Sequence, residues 1–449
     1  MRKVHPYLQI IATFVGVVLI GTLLLALPIS TASGNSLGFV DALFMSTSCV
    51  CVTGLTVVNV SVQISVFGKI VMALLMEIGG LSFITIAIFF FMVIGGKIGV
   101  SNKFLLREAL NQSSVDGIGK LVIKIVIISV TIQLIGAFIN LIPIMKIYEG
   151  DFWTSLGVSL FHSAASFNNA GFDTFGDSSL IPYADDLILN LTTISMIVIG
   201  GIGFVVIDDV VMHRRWSKFN LHTKITLCTT ALLITIGTLL IKFTDWDDMT
   251  WLQALFTSVT SRTAGFTTYN MADLTYHTAT YVVIIVLMII GASPCSTGGG
   301  IKTSTFAILM LSIVYFGRGK KVRAFKRKIS DSLIFKAFVL LAIVFLIIFV
   351  GCFLVSIFQP ELNVKFSIEE ILFEVVSAFS TTGLSMGVTP FLNPANRILL
   401  CLIMLLGRLG PLTVIGVVNK NWLTASSEDI QYVEENVIIG WKSHLLLSA

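Results

Sequence analysis

Long apolar runs alternate with shorter, partly polar runs along the whole chain. Eight long runs reach the roughly 20 residues that a helix needs to cross a bilayer, and they predict eight spans. Between the members of each consecutive pair lies a shorter piece that suits a helix entering the membrane and returning on the same side. The predicted spans are 8–28, 68–96, 119–145, 186–212, 222–243, 279–316, 331–358 and 396–419, and the short pieces are 39–50, 152–166, 250–261 and 367–379.

The four short pieces share one pattern, in which Leu-Phe is followed by small and hydroxyl residues and then by a glycine with Leu or Phe after it. They read DALFMSTSCVCVTGL (41–55), SLFHSAASFNNAGF (159–172), ALFTSVTSRTAGF (254–266) and ILFEVVSAFSTTGL (371–384). The unit of span, half-helix, glycine turn and span is therefore predicted to occur four times. The predicted units are 1–98, 99–214, 215–328 and 329–419, followed by a tail at 420–449.

The glycine turns suit a site for cations. Non-helical backbone at membrane depth is tolerated where it lines a polar cavity or is buried in protein, and its carbonyl oxygens can replace the water around an ion. Glycine permits the required backbone conformations, and the C-terminal ends of the half-helices would favour a cation. The alternative is that these glycines only cap or pack helices. The candidate ion-binding residues are Cys51, Val52, Thr53, Gly54, Asn168, Asn169, Ala170, Gly171, Thr263, Ala264, Gly265, Thr381, Thr382 and Gly383.

Composition and charge narrow the class of protein. Hydrophobic residues make up 55% of the 449 residues and charged residues only 12%, against about 25% charged in soluble domains. This excludes a soluble enzyme and a nucleic-acid reader. Basic clusters, the densest being RGKKVRAFKRK at 318–328, precede span one or follow even-numbered spans, which predicts cytoplasmic N- and C-termini. The opposite side carries an excess of acidic residues, which would concentrate cations.

At the four glycine turns the chain resembles the Trk/Ktr/HKT superfamily of potassium transporters, most closely the bacterial Ktr-type membrane subunit. The resemblance rests on VTGL (52–55), SAASFNNAGF (163–172), SRTAGF (261–266) and STTGLSMG (380–387). It implies an all-α polytopic protein of the plasma membrane, with four M1–P–M2 repeats around one pseudo-fourfold pore. It also implies a homodimer, K⁺ as the substrate, Na⁺ as a possible activator, and a cytosolic ring of RCK-domain proteins that bind nucleotides.

The sixth predicted span is interrupted by GASPCSTGGGIKTST at 291–305, because a helix cannot continue through Pro294 and the triple glycine. The fragment is not a phosphate-binding loop, since Ile301 separates the last glycine from the lysine and no strand precedes it. The resemblance implies an intramembrane gating loop here, with Arg408 beside it as an electrostatic barrier. A packing kink is the alternative. The candidate gating residues are Ser296, Thr297, Gly298, Gly299, Gly300 and Arg408.

Besides Arg408, Glu77 and Lys302 are predicted to lie inside the membrane, whereas Arg262 is counted with the outer segments. Glu77 is expected to pair with a basic group or to be protonated, and Arg262 is expected to pair with an acidic residue behind the glycine turns. The sequence contains no metal-ligand spacing and no catalytic arrangement, so neither a cofactor nor enzyme activity is expected of this chain. A Na⁺- or ammonium-permeable relative remains open, as does a non-conducting scaffold for the cytosolic ring. The 317–330 stretch and the tail from 420 are candidate docking segments for that ring, or else contact membrane lipid.

Overall fold

The computed structural model describes residues 6–82, 85–86, 88–89, 92, 118–176, 178–245, 247–276 and 278–410. Parts of the sequence predictions therefore lie outside the described residues. These are the end of the second span, the boundary between the first two units at 98, the end of the eighth span and the tail at 420–449.

Within that part of the chain the fold is built almost wholly from helices. The α-helices are α1 (Pro6–Leu25), α2 (Phe39–Cys51), α3 (Val60–Gln63), α4 (Val66–Leu81), α5 (Ile118–Ile147), α6 (Phe152–Phe167), α7 (Leu187–Ile202), α8 (Phe204–His213), α9 (Leu221–Thr244), α10 (Trp251–Thr260), α11 (Thr278–Ile289), α12 (Thr303–Gly317), α13 (Asp331–Phe358), α14 (Leu362–Lys365), α15 (Ile368–Ser380) and α16 (Pro394–Leu409). Short 3-10 helices cover Pro28–Ser30, Ile181–Tyr183, Trp216–Lys218, Met271–Tyr276 and Thr389–Phe391. Two short antiparallel strands, β1 (Arg323–Ala324) and β2 (Arg327–Lys328), form a hairpin in the basic segment.

The four short predicted pieces are the helices α2, α6, α10 and α15, and their ends fall close to the predicted ones. Side-chain caps explain where three of them begin. Asp151 accepts hydrogen bonds from the backbone of Trp153 and Thr154 at the start of α6. Thr250 and Ser367 each form a capping box at the start of α10 and α15.

Four helices are long and apolar enough to cross a membrane by themselves, namely α1, α5, α9 and α13. The predicted fourth span is not continuous: α7 and α8 meet at Gly203 with a bend of 93°. The predicted span at 186–212 therefore consists of two helices that are together long and apolar enough to cross, with a break between them. Gly203 has a φ of 101°, a conformation that glycine adopts at little steric cost and that interrupts the helical hydrogen-bond ladder.

Two other predicted spans contain helix ends at the corresponding place. Helix α4 ends before Ser82, whose φ is 70°, and α16 ends before Gly410, whose φ is 81°. In the sixth predicted span the chain is not helical from residue 290 to residue 302. Each of the four helices that follow a glycine turn is therefore interrupted inside the predicted span.

The short helices occupy the interior, and the long helices carry the surface. The phenylalanine of each Leu-Phe pair is buried, with Phe44, Phe256 and Phe373 at 0% exposure. Large apolar side chains are exposed along the long helices, for example Phe138 on α5 and Phe349 on α13. An apolar outer surface is stable in hydrocarbon and unfavourable in water. The chain is therefore a multi-pass membrane protein.

Candidate functional site

The four repeated glycines lie next to one another in a closed ring. A β-carbon added to Gly54 would lie 3.0 Å from the Cα of Gly171, and one added to Gly171 would lie 3.0 Å from the Cα of Gly265. The same test gives 3.2 Å from Gly265 to Gly383 and 3.0 Å from Gly383 back to Gly54. The four glycines therefore follow one another around the ring in the order of the sequence, and the last, Gly383, lies next to the first, Gly54. We call Gly54, Gly171, Gly265 and Gly383 the glycine ring.

The backbone around the ring departs from helix and strand in the same way in every copy. Each ring glycine has a φ between 67° and 95°. The residue two positions earlier also has a positive φ, although it is never glycine. Such conformations are uncommon for residues with a β-carbon and need support from the surrounding structure. The strained residues are Val52 (58°), Asn169 (59°), Thr263 (75°) and Thr381 (52°).

Hydrogen bonds hold the amides of these turns against the short helices. The backbone nitrogen just before each ring glycine donates to a carbonyl near the helix end, as Thr53 does to Ser48 (2.8 Å) and Ala170 to Ala165 (2.8 Å). The hydroxyl oxygens of Ser48 and Ser377 accept from the amides of Gly54 (3.2 Å) and Gly383 (3.1 Å). The turns can therefore present carbonyl oxygens to an ion without leaving these amides unsatisfied.

A second set of glycines, which the sequence reasoning missed, makes room for the short helices. A β-carbon on Gly79, Gly200 or Gly407 would collide with a backbone carbonyl oxygen of the residue four positions before a ring glycine. Those carbonyls belong to Val50, Phe167 and Phe379. The recurrence of Gly about halfway along three of the predicted spans (GG at 79–80, GG at 200–201, GR at 407–408) was the available signal.

The side chains of Asn168 and Asn169 make hydrogen bonds within the protein. Nδ2 of Asn168 donates to Oε1 of Glu77 (2.9 Å) and to the carbonyl of Ala164 (3.0 Å). In the orientation that gives both the oxygen and the nitrogen of the Asn169 side chain suitable partners, the nitrogen donates to the backbone carbonyls of Ile197 and Ser166. Both side chains thus support the second turn, which leaves its backbone as the part that can face an ion. Glu77 pairs with an amide, and among the described residues no basic group pairs with it.

Residues 290–302, which we call the loop, lie against the ring. A β-carbon on Gly299 would approach the carbonyl of Ser380 to 3.1 Å, and one on Gly298 would approach Cβ of Thr263 to 3.0 Å. The hydroxyls of Thr263 and Thr381 are the side-chain atoms that lie nearest to these two glycines. The loop is also bound to α7 through hydrogen bonds from Ser293 and Thr297 to helix carbonyls.

Arg408 on α16 connects this loop to α4. Its Nη1 donates to the carbonyl of Thr297, and its Nη2 donates to the carbonyls of Gly79 (2.5 Å) and Gly80 (3.3 Å). Lys302 makes a local hydrogen bond, from Nζ to the carbonyl of Gly298 (2.7 Å). Of the other candidate gating residues, Ser296 bonds within the loop and Gly300 has a positive φ of 69°.

The acidic partner predicted for Arg262 is not found among the described residues. The side chain of Arg262 is 7% exposed, and no acidic residue in that part of the chain pairs with it. An ion pair does link two other elements: Arg397 on α16 contacts Asp41 on α2.

The fold defines a class: a multi-pass helical membrane protein. Comparison with known proteins identifies the family. The chain belongs to the TrkH family of cation transport proteins, whose profile matches residues 1–422. It is 37% identical to the Ktr system potassium uptake protein B of Bacillus subtilis, over 98% of each chain. It is 36% identical to the potassium/sodium uptake protein NtpJ of Enterococcus hirae, again over 98% of each.

A solved structure shares the fold. The potassium transporter TrkH from Vibrio parahaemolyticus aligns with a TM-score of 0.71 at 19% identity, covering 94% of this chain and 86% of that one. The family and its named relatives are ion transporters. The sequence prediction that this chain is not an enzyme is thereby confirmed.

Proposed function

We propose that this chain carries K⁺ into the cell through the glycine ring. The observation that supports this most strongly is the closure of the ring by four turns of the same unusual backbone, whose amides are held back against the short helices. Cations leaving water require oxygen ligands, and four converging turns offer carbonyl oxygens from every side. The named relatives are potassium uptake proteins, which accords with this substrate.

Selectivity for K⁺ over Na⁺ is proposed to be partial. Each turn has one glycine and non-identical flanking residues, so fewer complete rings of carbonyls are available than in four identical strands. The proposed ligands are the candidate ion-binding residues named above, acting through their backbone carbonyls. Na⁺ would pass less readily than K⁺ rather than be rejected absolutely.

The architecture proposed around the ring is four M1–P–M2 repeats, with α2, α6, α10 and α15 as re-entrant pore helices. Both termini would be cytoplasmic. The chain would act as a homodimer on a cytosolic ring of RCK-domain proteins, with nucleotides bound only by that partner. The hairpin of β1 and β2 carries four basic residues, Arg323, Lys326, Arg327 and Lys328, and would face the cytoplasm. It is the proposed docking segment for the partner or for anionic lipid.

The loop is proposed to be the gate. It lies against Thr263 and Thr381, directly beside the ring, and Arg408 holds it to α4 and α16. Its small side chains would leave a passage when the loop moves away. A positive charge at this depth would also oppose the entry of a cation while the loop is in place.

A second candidate function is transport of Na⁺ together with K⁺, or dependence of K⁺ uptake on Na⁺. The observation in its favour is the similarity to NtpJ, whose name states potassium and sodium uptake. In the Trk/Ktr/HKT superfamily, which the four turns resemble, glycine at the position of Gly54 accompanies K⁺ permeation and serine there accompanies a preference for Na⁺. Gly54 therefore favours K⁺.

Ion flux into liposomes containing the purified chain tests these proposals. We expect K⁺-driven flux that exceeds Na⁺ flux, and a loss of K⁺ preference when Gly171 or Gly383 is changed to Ser. Gly387→Ser is the matched control, because Gly387 has a φ of 89°, close to the 87° of Gly383, but open space around its β-position. Absence of flux from folded protein would favour a scaffold, and dominant Na⁺ or ammonium flux would favour the other transport functions. Unchanged K⁺ preference in the ring variants would refute the ring as the filter.

A further inference from the structure

Arg262 lies beside a small cavity that the transport proposal does not use. The cavity is lined by Val198 and Gly201 of α7, Thr230 of α9, Val259 of α10, Arg262 and Ala292. Arg262 is 7% exposed, and Thr230 is 6% exposed. The cavity therefore lies between three helices and the loop.

Two hydrogen-bond donors at this cavity have no partner. Nε of Arg262 and Oγ1 of Thr230 are both buried without a hydrogen bond. No ion pair of Arg262 occurs among the described residues. A buried guanidinium without a counter-charge is costly in a low-dielectric interior, and each buried donor left unsatisfied adds to that cost. An occupant that is negatively charged and accepts hydrogen bonds would relieve both.

The contact between the first two repeats shows which group lies beside the residue that corresponds to Arg262. Arg262 lies three residues before ring glycine Gly265, and Asn168 lies three residues before ring glycine Gly171. Asn168 donates to the carboxylate of Glu77, which lies three residues before Gly80 on α4. The two helices correspond because Gly79 on α4 and Gly200 on α7 each face the end of a pore helix. The position equivalent to Glu77 is therefore three residues before Gly201.

That equivalent position is Val198, which lines the cavity. Between the first two repeats, the carboxylate of Glu77 accepts a hydrogen bond from Asn168. Between the second and third repeats, the charged Arg262 stands in the place of Asn168 and the aliphatic Val198 in the place of Glu77. We propose that a monatomic anion, chloride under ordinary conditions, occupies the cavity in the place of this missing carboxylate. The guanidinium of Arg262 and the hydroxyl of Thr230 bind it, and its apolar walls favour a halide over a larger oxyanion.

Bromide, which scatters anomalously, is the probe for this site. Crystals of the full chain soaked in bromide are expected to show an anomalous peak within hydrogen-bond reach of the Arg262 guanidinium, and Val198→Glu is expected to abolish the peak by supplying the carboxylate. Val198→Thr, which has nearly the same shape and no charge, is the matched control and should retain it. A wild-type cavity without a bromide peak, or a peak that persists unchanged in Val198→Glu, would overturn the proposal.

Thermal unfolding provides an independent readout that does not require crystals of each variant. Replacing gluconate by chloride is expected to raise the Tm of the wild type by about 2 °C, since a ligand that binds only the folded state stabilises it. Val198→Glu and Arg262→Gln should lose this chloride response, and Val198→Thr should keep it. An equal response in all four proteins would show only a general salt effect and would refute a specific anion site. Neither test depends on whether the ring conducts K⁺.

Discussion

Replacing Arg408 by glutamine tests how the loop is held beside the glycine ring. In the structure one hydrogen bond from this guanidinium goes to the loop, at the carbonyl of Thr297, and the others go to Gly79 and Gly80 of α4. A hydrogen bond to a charged group contributes about 1.5–3 kcal/mol. If only the bond to Thr297 distinguishes the closed from the open loop, its loss shifts their ratio by about 10- to 100-fold toward the open state.

The assay is K⁺ flux into liposomes in the absence of any cytosolic partner, where a closed loop keeps the basal rate low. Arg408→Gln is expected to raise that rate by an order of magnitude or more. Lys302→Met is the control for removing a buried positive charge, because the hydrogen bond that Lys302 makes within the described residues goes to Gly298 of its own segment. Its effect should be much smaller.

Arg408→Lys distinguishes the two contributions of the side chain. Lysine keeps the charge but cannot donate to several carbonyls at once with the planar geometry of arginine. A rate close to that of Arg408→Gln would assign the block to the hydrogen bonds, and a rate close to the wild type would assign it to the charge. An unchanged or lower rate in correctly folded Arg408→Gln would refute the role of this residue in closure.

Three further predictions follow from the loop, from an ion pair and from a helix cap. Deletion of 296–300 should raise basal K⁺ flux, and loss of all flux with normal folding would contradict a gating role for the loop. Arg397→Gln should lower the free energy of unfolding by about 1–3 kcal/mol, because it removes the hydrogen bonds of the charged guanidinium to Asp41 and Pro390. Denaturation of the wild type, Arg397→Gln, Asp41→Asn and the double variant measures the coupling between the two residues. Additive losses of stability would disprove that coupling. Hydrogen bonds from Thr154 hold the pKa of the Asp151 carboxyl below its ordinary value. Its stabilisation is present above an unfolded pKa of about 3.9 and is lost as pH falls through the lower folded pKa, so the melting curves of wild type and Asp151→Ala should differ at pH 7 and converge in acid.

The short helices could be predicted from the sequence because their signal is local. An apolar run too short to span, a hydroxyl-rich stretch and a glycine recur four times, and capping residues such as Thr250 and Ser367 fix where the helices begin. The closure of the ring was predicted from the same repetition. The ring order and the support of the turns by the hydroxyls of Ser48 and Ser377 required coordinates.

The bend at Gly203 and the solitary Arg262 could not be predicted in this way. The segment around Gly203 is as apolar as a continuous span, and its 93° bend arises where the chain meets the loop, with the amide of Phe204 donating to the carbonyl of Cys295 (2.9 Å). The partner of Arg262 was sought among acidic residues. Only the correspondence of Val198 with Glu77 shows that this repeat lacks the acid.

Ion density at the glycine ring tests the central claim most directly. A crystal of the chain grown in K⁺ and soaked in Tl⁺, which substitutes for K⁺ and scatters anomalously, should show a peak on the axis between Gly54, Gly171, Gly265 and Gly383, within reach of their neighbouring carbonyls. K⁺ added as a competing salt should weaken this Tl⁺ peak more than the same concentration of Na⁺ does. A Tl⁺ peak elsewhere in the molecule, with none at the ring, would contradict the account.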